Sequence, residues 1–147
     1  VMKSVLEAVG MEKSERREPK HFKKESRTGL DHLINATKFS LSGLKNAFLR
    51  ESAFRHEVLA FGLLIASGAL LTTSLLQILT LVCVCCFTLS IELLNSGIEA
   101  TVDRISTEQN ELSKIAKDYG SAAVMVSLIT VAIVWTYIAI EGLNLGQ

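Results

Sequence analysis

Four polar residues fall on one face of a predicted helix, directly after a long stretch without charge. Glu92, Asn95, Glu99 and Asp103 follow one another at steps of three or four residues, and the preceding residues 58–91 contain no Asp, Glu, Lys or Arg. A carboxylate at membrane depth is costly and indicates a functional site unless a partner explains it. Glu92 is therefore a candidate for chemistry, whereas Asp103 and the adjacent Arg104 can equally be ordinary charges where the helix leaves the membrane.

Other charged residues are predicted at the same membrane level. Glu51 precedes the first apolar segment, and Lys117 and Asp118 open the last one. Two carboxylates such as Glu51 and Glu99 can hold Mg²⁺ together with substrate phosphates, and an ammonium group stabilises a transferring phosphoryl group. The alternatives are a structural glutamate at a helix junction and a snorkelling lysine. The chain has no GxxxxGK[ST] or GxGxxG motif, so motifs do not reveal a nucleotide site.

Membrane helices are needed to position these residues. The uncharged residues 58–91 are too many for one soluble core helix, and the uncharged residues 119–140 match a hydrocarbon core of about 30 Å. We predict an all-α membrane protein with spans at about 56–72, 75–103 and 115–140. Before them, apolar residues at i, i+3 and i+4 predict an amphipathic helix over about 30–50 on the membrane surface.

Charge distribution predicts the topology. Every Lys and Arg lies at or before Arg55 or between Arg104 and Lys117. Basic residues favour the cytoplasmic side, so we predict a cytoplasmic N-terminus and an external C-terminus. Residues 1–28 are expected to be a flexible charged tail, and residues 29–147 the membrane domain. Small residues in the first span favour close helix packing and a homo-oligomer; they are Gly62, Ala66, Ser67, Gly68 and Ala69.

Three motifs resemble the prokaryotic diacylglycerol kinase family. They are IELLNSGIEATVDRI at 91–105, followed by ELS at 111–113; AKDYGSAAV at 116–124; and ESAFRHE at 51–57. The resemblance covers about residues 29–141. It implies a homotrimer in the bacterial inner membrane that transfers the γ-phosphoryl group of ATP to diacylglycerol, with Mg²⁺ required and phosphatidic acid as product. No nucleic-acid partner is expected.

The resemblance also implies roles for individual residues. Glu92 is the expected general base, with Asn95 beside it at the lipid substrate. Glu51 and Glu99 are expected to hold Mg²⁺ with the nucleotide phosphates, and Lys117 and Asp118 to contact the nucleotide.

Departures and rival functions remain. The chain has His32 where the family commonly has arginine, and it lacks an aromatic residue near Gln109, so the resemblance does not carry over the nucleotide contacts made at those positions. A kinase of the same fold that acts on undecaprenol is the nearest alternative, although VDRI at 102–105 and DYGSA at 118–122 look more like the diacylglycerol branch. A small oligomeric channel or transporter with Glu92 as its ion site is a remote alternative.

Overall fold

The protein is built from four α-helices. A computed structural model describes residues 29–105, 108 and 110–145, and within them it contains no strand. Helix α1 spans Leu30–Arg50, α2 Ser52–Leu71, α3 Leu75–Ile105 and α4 Glu111–Leu145. Helices α2, α3 and α4 are each long and apolar enough to cross a membrane. The predicted class is therefore confirmed, with three candidate membrane-spanning helices after an N-terminal helix.

The chain separates into two units, residues 1–35 and 36–147. In the first unit the described residues are Gly29, which has a positive φ of 85°, and the opening turns of α1. The second unit contains the remainder of α1 and all of α2, α3 and α4. The predicted tail of residues 1–28 lies outside the described residues.

The spanning helices are longer than the predicted spans because polar residues extend them beyond the apolar core. Helix α2 begins at Ser52 rather than near residue 56, and α4 begins at Glu111 rather than near residue 115. The side chain of Asn110 accepts hydrogen bonds from the backbone N–H groups of Leu112 (2.9 Å) and Ser113 (3.3 Å). This is an N-cap, which satisfies donors that a helix start otherwise leaves free.

A single extended residue, Glu51, separates α1 from α2. Its φ and ψ are −96° and 114°, and its side chain makes no capping hydrogen bond. The guanidinium group of Arg55 instead donates to the carbonyl oxygens of Phe48 (3.2 Å) and Leu49 (3.3 Å) at the end of α1. The junction is thus held by Arg55, and the Glu51 carboxylate does not serve as a cap.

Helices α3 and α4 form the most extensive pairing, and α2 packs against both. The buried residues of α3 recur every three or four positions, as in a coiled-coil seam: they are Leu81, Cys85, Thr88, Glu92 and Asn95. Val131 and Ile138 from α4 and Phe61 from α2 complete the core around Leu81 and Cys85. The seam is apolar in its first half and polar at its end, so the same packing that holds α3 also places its polar residues.

The opposite end of the bundle, around the turn between α2 and α3, has its own polar contacts. Gln77 donates a hydrogen bond to the Glu141 carboxylate, and the Thr72 hydroxyl donates to the side-chain oxygen of Gln77. Nearby, Gly68 packs closely on Leu81. Of the small residues predicted for helix packing, Gly68 is buried, whereas Gly62, Ala66 and Ala69 are exposed in the single chain.

Candidate functional site

Glu92 and Asn95 are buried where the polar half of the α3 seam begins. The exposed fraction is 5% for Glu92 and 9% for Asn95. One turn later Glu99 is half-buried, and the amide nitrogen of Asn95 donates to its carboxylate over 3.5 Å. These three residues share one face of α3, as predicted, and that face points into the bundle. We call Glu51, Glu92, Glu99 and the nearby Glu57 the carboxylate cluster, and the end of the bundle where they lie the carboxylate end.

Three other carboxylates lie within electrostatic range of Glu92. Glu51 and Glu99 are close enough for their negative charges to act on Glu92, and so is Glu57 in the second turn of α2. Like charges repel strongly where water is largely excluded. A bound cation or a proton would relieve this repulsion.

Glu57 was not among the predicted site residues. It is half-buried, and its Oε2 atom is fully buried without a hydrogen-bond partner in the described part of the chain. In the sequence, Glu57 is one of several charged residues that precede the first span. The available signal was helical spacing, because Glu57 lies three residues after Phe54 and four before Phe61, and both phenylalanines are buried.

Lys117 is held at the same end by an ion pair. Its Nζ atom lies 2.6 Å from Oδ1 of Asp103, which joins the start of α4 to the last turn of α3. Glu99 is also near enough to attract the Lys117 ammonium group. Lys117 therefore borders the carboxylate cluster, and Asp103 is its direct partner rather than an isolated interfacial charge.

Asp118, His32 and Gln109 were also singled out in the sequence. Asp118 is exposed on α4, and no contact joins it to the cluster among residues 29–105, 108 and 110–145. His32 is exposed on α1. Gln109 lies outside the described residues.

An open groove of about 560 Å³ runs between α1 and α3 beside the cluster. Leu44, Ala47 and Leu93 contribute apolar side chains to it, and Arg50 and Glu51 also line it. The groove thus presents an apolar lining together with charged groups next to the carboxylate cluster. This combination suits a molecule with a hydrocarbon part and a polar part.

Comparisons with known proteins identify the family. The sequence profile of the prokaryotic diacylglycerol kinase family matches residues 38–139. The chain belongs to this family. It is 49% identical to a diacylglycerol kinase of Haemophilus influenzae over 108 residues, which cover 74% of this chain and 92% of that protein. It is 47% identical to one of Pseudomonas aeruginosa over 120 residues, covering 82% and 96%, and 40% identical to one of Escherichia coli over 108 residues, covering 74% and 88%.

Family membership and the three apolar helices together describe a bacterial multi-pass membrane enzyme of the diacylglycerol kinase class. The prediction of that enzyme class is confirmed. A lipid kinase needs a nucleotide as co-substrate, and kinases in general use a divalent metal. Its lipid substrate must reach the site from the membrane, which is consistent with a groove at the end of the bundle.

The donor set of this kinase fits magnesium held jointly with a nucleotide. In the described part of the chain no three His, Cys, Asp or Glu side chains form a group that could hold a metal by themselves. Magnesium is usually bound by one or two carboxylates, substrate phosphates and water rather than by a complete protein cage. Glu51, free of capping, and Glu99, beside Asn95, offer two such carboxylates.

Proposed function

We propose that this protein catalyses ATP-dependent phosphorylation of diacylglycerol to phosphatidic acid at the cytoplasmic membrane surface. The observation that carries the proposal is the burial of Glu92 at the end of a spanning helix, among Glu51, Glu99 and Asn95. A buried carboxylate with other acidic groups around it is expensive, and it is retained where chemistry requires it. The names of the relatives support diacylglycerol as the lipid.

In this proposal Glu92 is the general base. The lipid hydroxyl oxygen attacks the γ-phosphorus, the bond from that phosphorus to the bridging oxygen of ADP breaks, and the hydroxyl proton passes to the Glu92 carboxylate. Asn95, one turn along α3, binds the substrate beside Glu92. Because both side chains are buried in a helix seam, their positions are fixed before the substrate arrives, as acid–base catalysis requires.

Glu51 and Glu99 would hold Mg²⁺ together with the nucleotide phosphates. When bound, Mg²⁺ neutralises charge on the phosphate oxygens and on the transferring group. Lys117 and Asp118 contact the nucleotide in this proposal. Lys117 can reach phosphate oxygens by leaving Asp103, since that pair is solvent-accessible and such pairs are held weakly.

The lipid would enter along the groove between α1 and α3. Its acyl chains contact the apolar lining of Leu44, Ala47 and Leu93, and its glycerol hydroxyl is directed toward the carboxylate cluster. The reacting hydroxyl would then lie at the membrane surface. Water-soluble ATP and the membrane-bound lipid can meet there. Helix α1 then lies on the membrane surface as one wall of the groove.

The proposal includes a cytoplasmic N-terminus, an external C-terminus and a homotrimer in the inner membrane. The basic residues Arg50, Arg55, Arg104, Lys114 and Lys117 all lie at the carboxylate end, which favours that end as cytoplasmic. Many large apolar side chains of the spanning helices are exposed in the single chain. Lipid and neighbouring subunits would cover them.

A labelling experiment tests the reaction. The purified protein in detergent would be incubated with γ-labelled ATP and Mg²⁺, with diacylglycerol or undecaprenol in separate micelles, beside Glu92→Gln and the control Glu111→Gln. Glu111 is an exposed glutamate in the first turn of α4. We expect label in diacylglycerol with the wild type and Glu111→Gln, and none with Glu92→Gln. Label in undecaprenol alone would assign the chain to the sister activity. No labelled lipid from well-folded protein would contradict both.

A further inference from the structure

One glycine of α4 lies directly against the Asn95 side chain. A Cβ atom built on Gly120 would overlap Oδ1 of Asn95 and would lie 3.2 Å from its Cγ, while the Asn95 Cβ would be at an ordinary 3.7 Å. Gly120 is buried in α4, three residues after Lys117. The amide of Asn95 therefore occupies the space that any larger residue at position 120 would fill.

The contact limits where the Asn95 amide can lie, and the hydrogen bond to Glu99 sets which end of the amide faces α4. Its Oδ1 atom is buried toward α4 and has no hydrogen-bond partner in the described residues. Its nitrogen, on the other side of the amide, donates to Glu99. Asn95 can direct its donor to the Glu99 carboxylate only while its oxygen fits against α4, and that fit requires the absence of a side chain at Gly120.

We propose that Gly120 is a positioning residue, which orients Asn95 and through it the Glu99 carboxylate for magnesium and phosphate binding. The inference rests on the proposed function and extends it to a residue that touches neither substrate nor metal. Helix propensity does not explain a glycine here, because alanine is a much better helix former in a helix interior. Close approach of another side chain is the remaining reason.

Other glycines supply matched controls. Gly62 in α2 has nothing within 4 Å of a built Cβ in the single chain, so alanine there makes no clash within its own subunit. Gly142 in α4 is as tightly enclosed as Gly120, but a Cβ there would meet the backbone oxygen of Leu71, at the end of α2. Gly142→Ala thus reproduces a steric clash in the same helix at a distance from the proposed site.

The first test compares the three alanine variants as purified proteins, with kinase rate measured against Mg²⁺ concentration. A misplacement of about 1 Å in a catalytic group costs on the order of 10²-fold in rate. We expect Gly120→Ala to lose at least about tenfold in kcat and to need several-fold more Mg²⁺ for half-maximal rate. Gly62→Ala should keep the wild-type Mg²⁺ dependence. Gly142→Ala should unfold at lower temperature but keep the wild-type Mg²⁺ dependence when folded.

A double variant separates positioning from misfolding. Asn95→Ala removes the two atoms that a Gly120 side chain would meet and leaves only the Cβ at 3.7 Å. The double variant of Gly120→Ala with Asn95→Ala should therefore fold as well as Asn95→Ala alone and have the same residual rate. Residues that act through one contact are non-additive in this way. If the two losses multiply, Gly120 acts independently of Asn95 and the proposal is wrong.

Failure of this inference is distinct from failure of the proposed function. If wild-type protein phosphorylates diacylglycerol while Gly120→Ala retains the wild-type rate and Mg²⁺ dependence, the positioning role is refuted and the kinase assignment stands. If wild-type protein transfers no phosphate, the thermal unfolding temperatures still test the contact. Gly120→Ala should then unfold below the wild type, and adding Asn95→Ala should restore it to the level of Asn95→Ala; no such restoration would overturn the contact itself.

Discussion

The ammonium group of Lys117 lies 2.6 Å from the carboxylate of Asp103, so the first turns of α4 are joined to the last turn of α3 at the edge of the carboxylate cluster. Both side chains are accessible to solvent, with 36% and 65% of their surface exposed. An accessible pair contributes little to stability. Lys117 also lies near Glu99, so its ammonium group would be close to the proposed phosphate site once it leaves Asp103.

Separate substitution of Lys117 and Asp103 should show whether the ammonium group or the ion pair supports activity. Lys117→Met removes the cation and should lower kcat/KM for ATP by about a hundredfold, because charge on the transferring phosphoryl group is no longer balanced. Asp103→Asn keeps the cation and should change the same ratio by less than about tenfold. Steady-state kinetics with ATP as the varied substrate measure both. Equal losses for the two variants would show that the ion pair itself, not the free ammonium, supports activity.

A second prediction concerns Glu57, whose buried carboxylate oxygen has no hydrogen-bond partner among the described residues. Glu57→Gln replaces a carboxyl group near Glu92 with an amide of the same shape. Because a poorly solvated carboxyl group beside another acid costs stability, we expect the thermal midpoint to rise by about 2–5 °C. Catalysis should remain measurable, in contrast to Glu92→Gln.

Thermal unfolding in detergent and the lipid-labelling assay measure these two effects. A lower midpoint for Glu57→Gln would show that the carboxylate has a stabilising partner. Complete loss of phosphorylation in a folded Glu57→Gln variant would contradict this prediction. It would show that the reaction requires the Glu57 carboxylate as well as that of Glu92.

The opposite end of the bundle should govern stability without affecting chemistry. Gln77→Leu removes the donor to Glu141 and the acceptor for Thr72. A half-buried carboxylate that loses one of its hydrogen-bond donors is destabilised by about 1 kcal/mol. We expect a lower unfolding midpoint, with unchanged KM for ATP and for the lipid well below that midpoint. Thr80→Val, at an exposed site one turn further along α3, is the matched control and should leave the midpoint nearly unchanged. A change in KM for Gln77→Leu would instead couple the two ends of the bundle.

Sequence patterns predicted most of the fold because membrane helices leave strong signals. Uncharged segments of sufficient length revealed the three spanning helices, and helical spacing predicted α1 with the observed ends, Leu30–Arg50. The common face of Glu92, Asn95 and Glu99 followed from the same spacing. The helices extend beyond the predicted spans, since α2 already includes Arg55 and Glu57 before its uncharged part begins.

Contacts between helices could not be derived in the same way. The Lys117–Asp103 pair and the closeness of Gly120 to Asn95 depend on the rotation and spacing of α3 against α4. Those quantities are set by packing of many side chains, and periodicity within one helix does not contain them. Glu57 illustrates the intermediate case. Its spacing between Phe54 and Phe61 indicates a buried face of α2. That its carboxylate lies near Glu92 depends on how α2 packs against α3, which the spacing does not give.

The last prediction tests whether Glu51 and Glu99 hold the same magnesium ion. Each of Glu51→Gln and Glu99→Gln removes one anionic ligand and should raise the Mg²⁺ concentration for half-maximal rate by roughly tenfold or more, since hard cations prefer carboxylate oxygen. Titration of the kinase rate with Mg²⁺ at saturating ATP measures this, with Glu111→Gln as the unaffected control. Two ligands of one ion are coupled, so the double variant should not show the product of the two single shifts. Independent, multiplying shifts would place the two carboxylates on different ions, and an unchanged titration for either variant would remove that residue from the metal site.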